Sequence, residues 1–170
     1  DYLAPNYVSE VMGSKTTVDF IFTPYIQVDP RSGSSFKNHS ICMSSLFTDD
    51  KLLEYLEDYC HRPYVFTGLV HCWNKFFSKC LLEDHQIFFD EDLNQLEDVN
   101  FVFRYLHFAE KKEFINIAGV YHEVNCLGKN LSALSGAALD APAKLVKALE
   151  PVRSLKKQLL KKCKAQEKVR

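Results

Sequence analysis

The residue types that could do chemistry fall in a few places along the 170-residue chain. Glu97-Asp98 stands where an acidic stretch, DEDLNQLED at residues 90–98, runs into a segment with an apolar helical face. A carboxylate pair can handle protons. At a helix start it also has two ordinary roles, favouring the positive end of the helix dipole and solvating a loop. Cys60-His61 and His71-Cys72 bring metal ligands to mind, but structural zinc sites space paired ligands two to four residues apart. Adjacent ligands point away from one another, so buried cysteine and hydrogen-bonded histidine is the stronger reading. No GxGxxG, Walker-type loop, HExxH or GxSxG occurs, which removes the sequence basis for a serine hydrolase or a nucleoside triphosphatase.

The elements that must position these residues follow from pattern and turn chemistry. Pro5 and Gly13 bracket a short helix over residues 5–12. Residues 17–28, TVDFIFTPYIQV, predict a strand interrupted at Pro24, with Val18, Phe20 and Phe22 on one face. DPRSGSS, residues 29–35, predicts a mobile loop. Thr48 starts a helix that runs to Cys60, with Leu52, Leu53, Leu56 and Tyr59 at helical spacing before Pro63. Beyond it come a short strand at 64–70, a helix from Trp73 to Leu82, and a strand at Ile87–Phe89. The helix after the acidic stretch has Val99, Val102, Phe103 and Leu106 as its core face. A strand at 112–122 and a Gly/Ser/Asn-rich connection at 125–139 follow. Asp140 and Pro142 start a helix, and Pro151 is expected to begin another. The mixture is α/β, with too few strands for a self-contained doubly wound domain.

Charge and cysteine usage narrow the function classes. Residues 1–143 hold 11 Lys/Arg against 20 Asp/Glu, and residues 144–170 hold 10 against 2. An acidic body argues against nucleic acid as the main partner, since phosphate binding needs a basic surface. Six cysteines without a CxxC pair argue against a disulfide scaffold and for a reducing compartment. No apolar run approaches the about 20 residues of a membrane span.

Taken together, the order of motifs carries a resemblance. Trp73-Asn74-Lys75 precedes a segment rich in aromatics, then come Ile87-Phe88-Phe89-Asp90, Glu97-Asp98 with Phe101 and Phe103 behind it, and a strand ending in Tyr121. Asp1-Tyr2-Leu3-Ala4-Pro5 looks like the tail of a D-x-D-D-Y-L-x-P signature. Over residues 1–125 this resembles the second half of bacterial family 2 glycosyltransferases of the GT-A fold. The resemblance implies a partial GT-A-like mixed sheet with flanking helices over 1–125, a linker at 126–139 and a basic helical tail at 140–170. It implies an inverting transfer from a nucleotide-sugar donor to a glycan or lipid-linked acceptor, with Asp98 as general base and Glu97 orienting the loop or the acceptor. Trp73 is then a wall on which a sugar ring stacks, or else a core tryptophan. Lys75 is a cation for the diphosphate leaving group, or else a solvated lysine, with His71 as an alternative donor. His122 falls near the place of a metal-ligating histidine, although arginine or tyrosine is commoner there in the bacterial subgroup. Mg²⁺ or Mn²⁺ is the implied cofactor, with Asp1 contributing marginally and the principal ligand before it.

The family's nucleotide-binding half is absent from these residues, so the expectation is a piece of a longer enzyme, one chain of a two-chain enzyme, or a non-catalytic glycan- or protein-binding module. In the tail, Leu145, Leu149, Val152, Leu155, Leu159 and Cys163 recur every three or four residues among lysines. That pattern suits a helix packed on its own domain, an interfacial helix on the inner face of the cell membrane, or a coiled-coil partner. The expected location is cytoplasmic, with peripheral membrane attachment through residues 144–170.

Overall fold

The computed structural model describes residues 1–13, 18–38, 48–62, 68–123 and 142–168. Two small mixed sheets lie at its centre. The first takes the order β1-β7-β3-β4, from β1 (Tyr2–Leu3), β3 (Tyr25–Val28), β4 (Ser35–Asn38) and β7 (Val120–Glu123). The second is β5-β2-β6, from β2 (Phe20–Phe22), β5 (Lys75–Phe77) and β6 (Lys112–Phe114). Among the described residues five helices flank them: α1 (Tyr7–Gly13), α2 (Asp49–His61), α3 (Lys79–Asp84), α4 (Glu97–Leu106) and α5 (Pro142–Glu167).

Pro24 breaks the first long strand as expected, and the break has a structural purpose. A proline cannot donate to a ladder, so β2 and β3 part at Thr23-Pro24 and join different sheets. Each takes its own parallel partner, β2 with β6 (Ile21↔Glu113) and β3 with β7 (Ile26↔Tyr121). The strand expected at 112–122 is divided in the same way. Residues 115–119 leave the ladder, where Ile117 N–H bonds back to Ile115 C=O at 2.8 Å and Gly119 C=O accepts from Ala4 N–H at 2.7 Å.

The period of two sets the layers. Phe20 and Phe22 face a large core with Leu52, Leu56, Tyr59, Val102, Phe103 and Leu106, whereas Ile21 faces Tyr7, Val11 and Val120 on the other side. Val18, expected on the Phe20 face, packs instead with the Ile21 group because it precedes the strand and escapes its alternation. Helices α2, α4 and α5 thus cover one face and α1 the other.

Helix α2 begins at Thr48, whose side chain accepts from Lys51 N–H at 3.3 Å. All four residues expected as the core face of α4 are buried. Between Trp73 and Leu82 the structure departs from the expected helix. Asn74 adopts a left-handed backbone (φ 59°) and Lys75–Phe77 pairs antiparallel with β2, after which Ser78 caps α3. Residues 87–89 form no ladder; the Phe88 carbonyl accepts from the Arg104 guanidinium at 3.0 Å in place of a neighbouring strand. The segment expected to be a mobile loop is a hydrogen-bonded hairpin turn. The Asp29 carboxylate accepts from Arg31 N–H and Ser32 O–H, and Gly33 supplies the positive φ of 66° before β4. The strand expected at 64–70 is a turn over 68–70, and 64–67 lie outside the described residues, as do the 125–139 connection and Asp140.

Pro151 does not begin a new helix. It sits inside the 26-residue α5, which forfeits the hydrogen bond that a residue there would give to the Lys147 carbonyl. Asn100 of α4 fills the place, its Nδ2 donating to Lys147 C=O at 3.1 Å. The apolar stripe of α5 (Ala148, Val152, Leu155, Leu159) is buried against α2 and α4. Lys147 pairs with Asp90 and Asp92, Lys156 with Glu57, and Lys162 with Asp49. Among the described residues no helix is long and apolar enough to cross a membrane.

Candidate functional site

The sequence candidates come from four separate segments, and most of them meet at the seam between the two sheets. Asp98 is the second residue of α4. Its Oδ2 accepts from Cys72 N–H at 3.2 Å and lies 3.8 Å from His71 Nδ1. The segment that carries His71 and Cys72 leads into β5 through Trp73. The Trp73 indole stacks with His71 (centroids 5.1 Å apart, 16° between planes) and with His122 of β7 (5.0 Å, 13°). Tyr25 of β3 meets the same indole edge-on at 4.4 Å. Asp1, ahead of β1, brings its Oδ1 within 3.2 Å of His122 Nδ1. A row of side chains therefore runs from Asp98 through His71, Trp73 and His122 to Asp1. Beside it lies a cleft of about 340 Å³ lined by Asp1, Tyr2, Leu3, Val8, Trp73 and Val120 among others.

The backbone at both ends is specialised. Leu96, the residue before α4, has φ 59° and no side-chain cap. That conformation costs a branched apolar residue about 1–2 kcal/mol, and it aims the first turn, with Glu97 and Asp98, toward residues 71–73. Asparagine tolerates the same conformation better, and Asn74 uses it to turn the chain from Trp73 into β5. Asn74 is buried and fully employed. Its Nδ2 donates to Thr23 C=O at 2.5 Å, and its own carbonyl accepts from Thr23 N–H at 3.0 Å. The Thr23 hydroxyl in turn bonds Tyr7 O–H at 2.5 Å. This buried network fastens the 73–75 turn to the gap between β2 and β3.

Lys75 belongs to that network. It is 9% exposed, its Nζ donates to Gly68 C=O at 3.0 Å and Asn74 Oδ1 at 3.1 Å, and it rides 4.7 Å above the Phe22 ring. Its ammonium thus braces the loop behind Trp73 and is committed to interior carbonyls. Burial pushes its pKa down to about 7, with Cys72 and Asp98 working in the other direction.

Electrostatics separates the two ends of the row. Burial raises the Asp98 carboxyl, but the His71 imidazole and the Cys72 thiol and amide outweigh it and hold Asp98 below the usual carboxylate range. Asp98 is thus an ionised carboxylate with 28% of its side chain exposed, able to accept a proton from a hydroxyl brought to it. Burial, followed by the charge of His71, holds His122 below its ordinary value, so its imidazole is neutral at pH 7. Its Nδ1 is buried without a hydrogen bond among the described residues, and the Asp1 oxygen 3.2 Å from it accepts from Glu123 N–H at 3.0 Å. Asp1 and His122 are two donors suited to a divalent cation. Among the described residues no group of three His, Cys, Asp or Glu side chains converges on one point.

Glu97 shares the first turn of α4 with Asp98, and its charge helps to push up the Cys72 thiol. Residues that sequence reasoning left out are Thr23 and Tyr25, together with the inward role of Asn74 and the part of the Cys72 amide in holding Asp98. Only Asn74 carried a local signal, as a residue tolerant of left-handed backbone between Trp73 and Lys75. Comparison of the chain with protein-family models, with curated proteins and with solved structures finds no match.

Proposed function

We propose that this chain is the acceptor-side portion of an inverting, GT-A-like glycosyltransferase that uses a nucleotide-sugar donor, with Asp98 as general base. The observation that carries the reading is the state of Asp98: ionised, part-exposed, and fixed by Cys72 N–H at the head of α4 beside an aromatic wall. An acceptor hydroxyl would lose its proton to the Asp98 carboxylate as its oxygen bonds the anomeric carbon. The bond from that carbon to the diphosphate breaks, and the nucleoside diphosphate leaves with the electron pair. General-base assistance of this kind is worth about 10²–10⁴ in rate.

Trp73, Tyr25 and the two stacked histidines would form the apolar wall for a sugar ring. Asp1 and His122 would hold Mg²⁺ or Mn²⁺, which when bound supplies positive charge to the leaving diphosphate. Lys75 would keep the wall in place from behind. The reaction so read is cytoplasmic, its acceptor a growing glycan, free or lipid-linked.

The test is Asp98→Asn in the protein supplied with its nucleotide-binding half, assayed by nucleoside diphosphate release from a panel of nucleotide sugars. The asparagine still accepts from Cys72 N–H, so the fold and acceptor binding are expected to persist while turnover falls by about 10²-fold or more. Turnover equal to the parent refutes the assignment. A binding module on the same scaffold would release no diphosphate in either form.

A further inference from the structure

The structure takes away the surface by which the C-terminal helix was expected to enter a membrane and reveals another. Its apolar stripe is core, and Lys147, Lys156 and Lys162 flank that stripe, paired with acidic residues of the body. At about 100° per residue, Arg153, Lys157, Lys161, Lys164 and Lys168 fall within about 80° of arc, centred opposite the buried face. All five are exposed. They extend over fifteen residues, about 22 Å at 1.5 Å per residue, and the acidic residues of the helix are Glu150, exposed in the same sector just before Arg153, and Glu167. Apolar Val146, 63% exposed, lies in the same sector, and half-buried Leu160 borders it.

We propose that this basic ridge docks the protein on an anionic bilayer surface, with the helix axis parallel to the membrane and its apolar face still in the core. Charge complementarity and shape select the occupant. The five residues all follow Pro151, so a ridge on that one stretch of helix can touch a plane along its length, whereas a nucleic-acid groove needs flanking contacts that an acidic body repels. The ridge has no aromatic side chain for base stacking, and Val146 and Leu160 suit the headgroup boundary. The repulsion between the acidic body and the same surface sets the orientation, since only the ridge faces the lipid. Each lysine or arginine near an anionic bilayer contributes about fivefold in partitioning.

The experiment is sedimentation of the full chain with vesicles of equal parts phosphatidylserine and phosphatidylcholine, at about 0.1 M and about 0.5 M salt. Phosphatidylcholine vesicles alone and a duplex DNA oligonucleotide are run beside them. Binding to the anionic vesicles is expected at the lower salt and lost at the higher. Replacing Arg153, Lys157, Lys161, Lys164 and Lys168 together by glutamine should lower it by about three to four orders of magnitude. The companion variant, with Lys147, Lys156 and Lys162 replaced by glutamine, should bind within about threefold of the parent. Circular dichroism establishes that each variant keeps its helix content. The proposal is overturned by failure of the parent to sediment, by equal sedimentation of the five-site variant, or by tighter binding to the duplex. None of these results bears on Asp98, so the reading of the site stands or falls separately.

Discussion

Lys75 offers the sharpest test of how the seam is built, because it predicts the sign of a pH dependence that most lysines do not have. An ordinary lysine titrates near 10.5, and burial brings this one to about 7. Above pH 7 the folded chain therefore holds fewer protons at this site than the unfolded chain, and stability must rise with pH. The full penalty for burying the charge corresponds to about 5 kcal/mol at about 1.4 kcal/mol per pH unit. Between pH 7 and 8.5 about 1.5 kcal/mol of it is recovered as Lys75 loses its proton in the folded state. Higher pH is less informative. The Cys72 thiol is pushed up by burial and by Asp98, so its ionisation in the unfolded chain draws stability down as the pH approaches 9.

Urea unfolding followed by the fluorescence of the single tryptophan, Trp73, reads this directly. With a slope of about 2 kcal/mol per molar urea, the midpoint of the parent protein should rise by about 0.7 M from pH 7 to pH 8.5. Lys75→Met removes the titration while filling similar space. It leaves Gly68 C=O and Asn74 Oδ1 without their donor, at a cost of about 1–3 kcal/mol. That cost is the same at both pH values, so the variant's midpoint should stay level or fall slightly as Cys72 begins to ionise in the unfolded chain. Parallel pH profiles for parent and variant would show that the ammonium is solvated, and the account of Lys75 as an interior brace would fail.

The remaining tests probe the supports of the site. Gly119→Ala would set a Cβ 2.1 Å from Cδ2 of Tyr7, whose hydroxyl is held by Thr23, so a loss of about 3 kcal/mol is expected in denaturant unfolding; a change below about 0.5 kcal/mol refutes the close approach. Asn100→Ala orphans the Lys147 carbonyl and should cost about 1–3 kcal/mol. Pro151→Ala restores an N–H to that carbonyl, so the double variant should recover about 1 kcal/mol or more in a double-mutant cycle, and additive losses would count against the bridge. Leu159→Ala empties part of the shared core and should cost about 2–5 kcal/mol by thermal or urea unfolding. A near-neutral result would mean that α5 does not belong to the folding unit.

Elements governed by local chemistry were legible in the sequence. Thr48 as a cap, the core face of α4 and the break at Pro24 each depend on residues within a turn or two of one another. The misreadings share the opposite property. Trp73–Leu82 has aromatics at a spacing that helices also use, and what makes Lys75–Phe77 a strand is the open edge of β2, more than fifty residues away in sequence. Pro151 is ordinarily a helix start, and the helix passes through it because Asn100 on another helix mends the missing bond. Lys75 reads as a surface residue until Gly68, Asn74 and Phe22 enclose it. The site itself was partly legible. His71, Trp73, Asp98, His122 and Asp1 were all singled out, but Tyr25 on β3 and Thr23 in the gap before it have neighbours that only the fold reveals.

The position of the row at the seam has a physical reason. A continuous sheet would bury β2–β3 and β6–β7 under uninterrupted ladders, leaving no place for charged groups among them. Pro24 and the irregular residues 115–119 interrupt both strands at the same level. The opening is lined by Thr23, whose amide and hydroxyl both bond the Asn74 carbonyl at 3.0 and 3.1 Å. Through Asn74 the opening therefore fixes Trp73, and through Trp73 it aligns imidazoles from two different segments. The left-handed backbone of Leu96 supplies the last constraint by delivering Asp98 to the Cys72 amide. Its strain of about 1–2 kcal/mol is offset by the charge-assisted hydrogen bond that Asp98 gains there, a class worth about 1.5–3 kcal/mol. The balance implies that Asp98 is what holds Leu96 in this conformation, so Leu96→Gly should relieve more strain in the parent than in an Asp98→Ala protein, and a larger gain in the Asp98→Ala background on urea unfolding would refute the coupling.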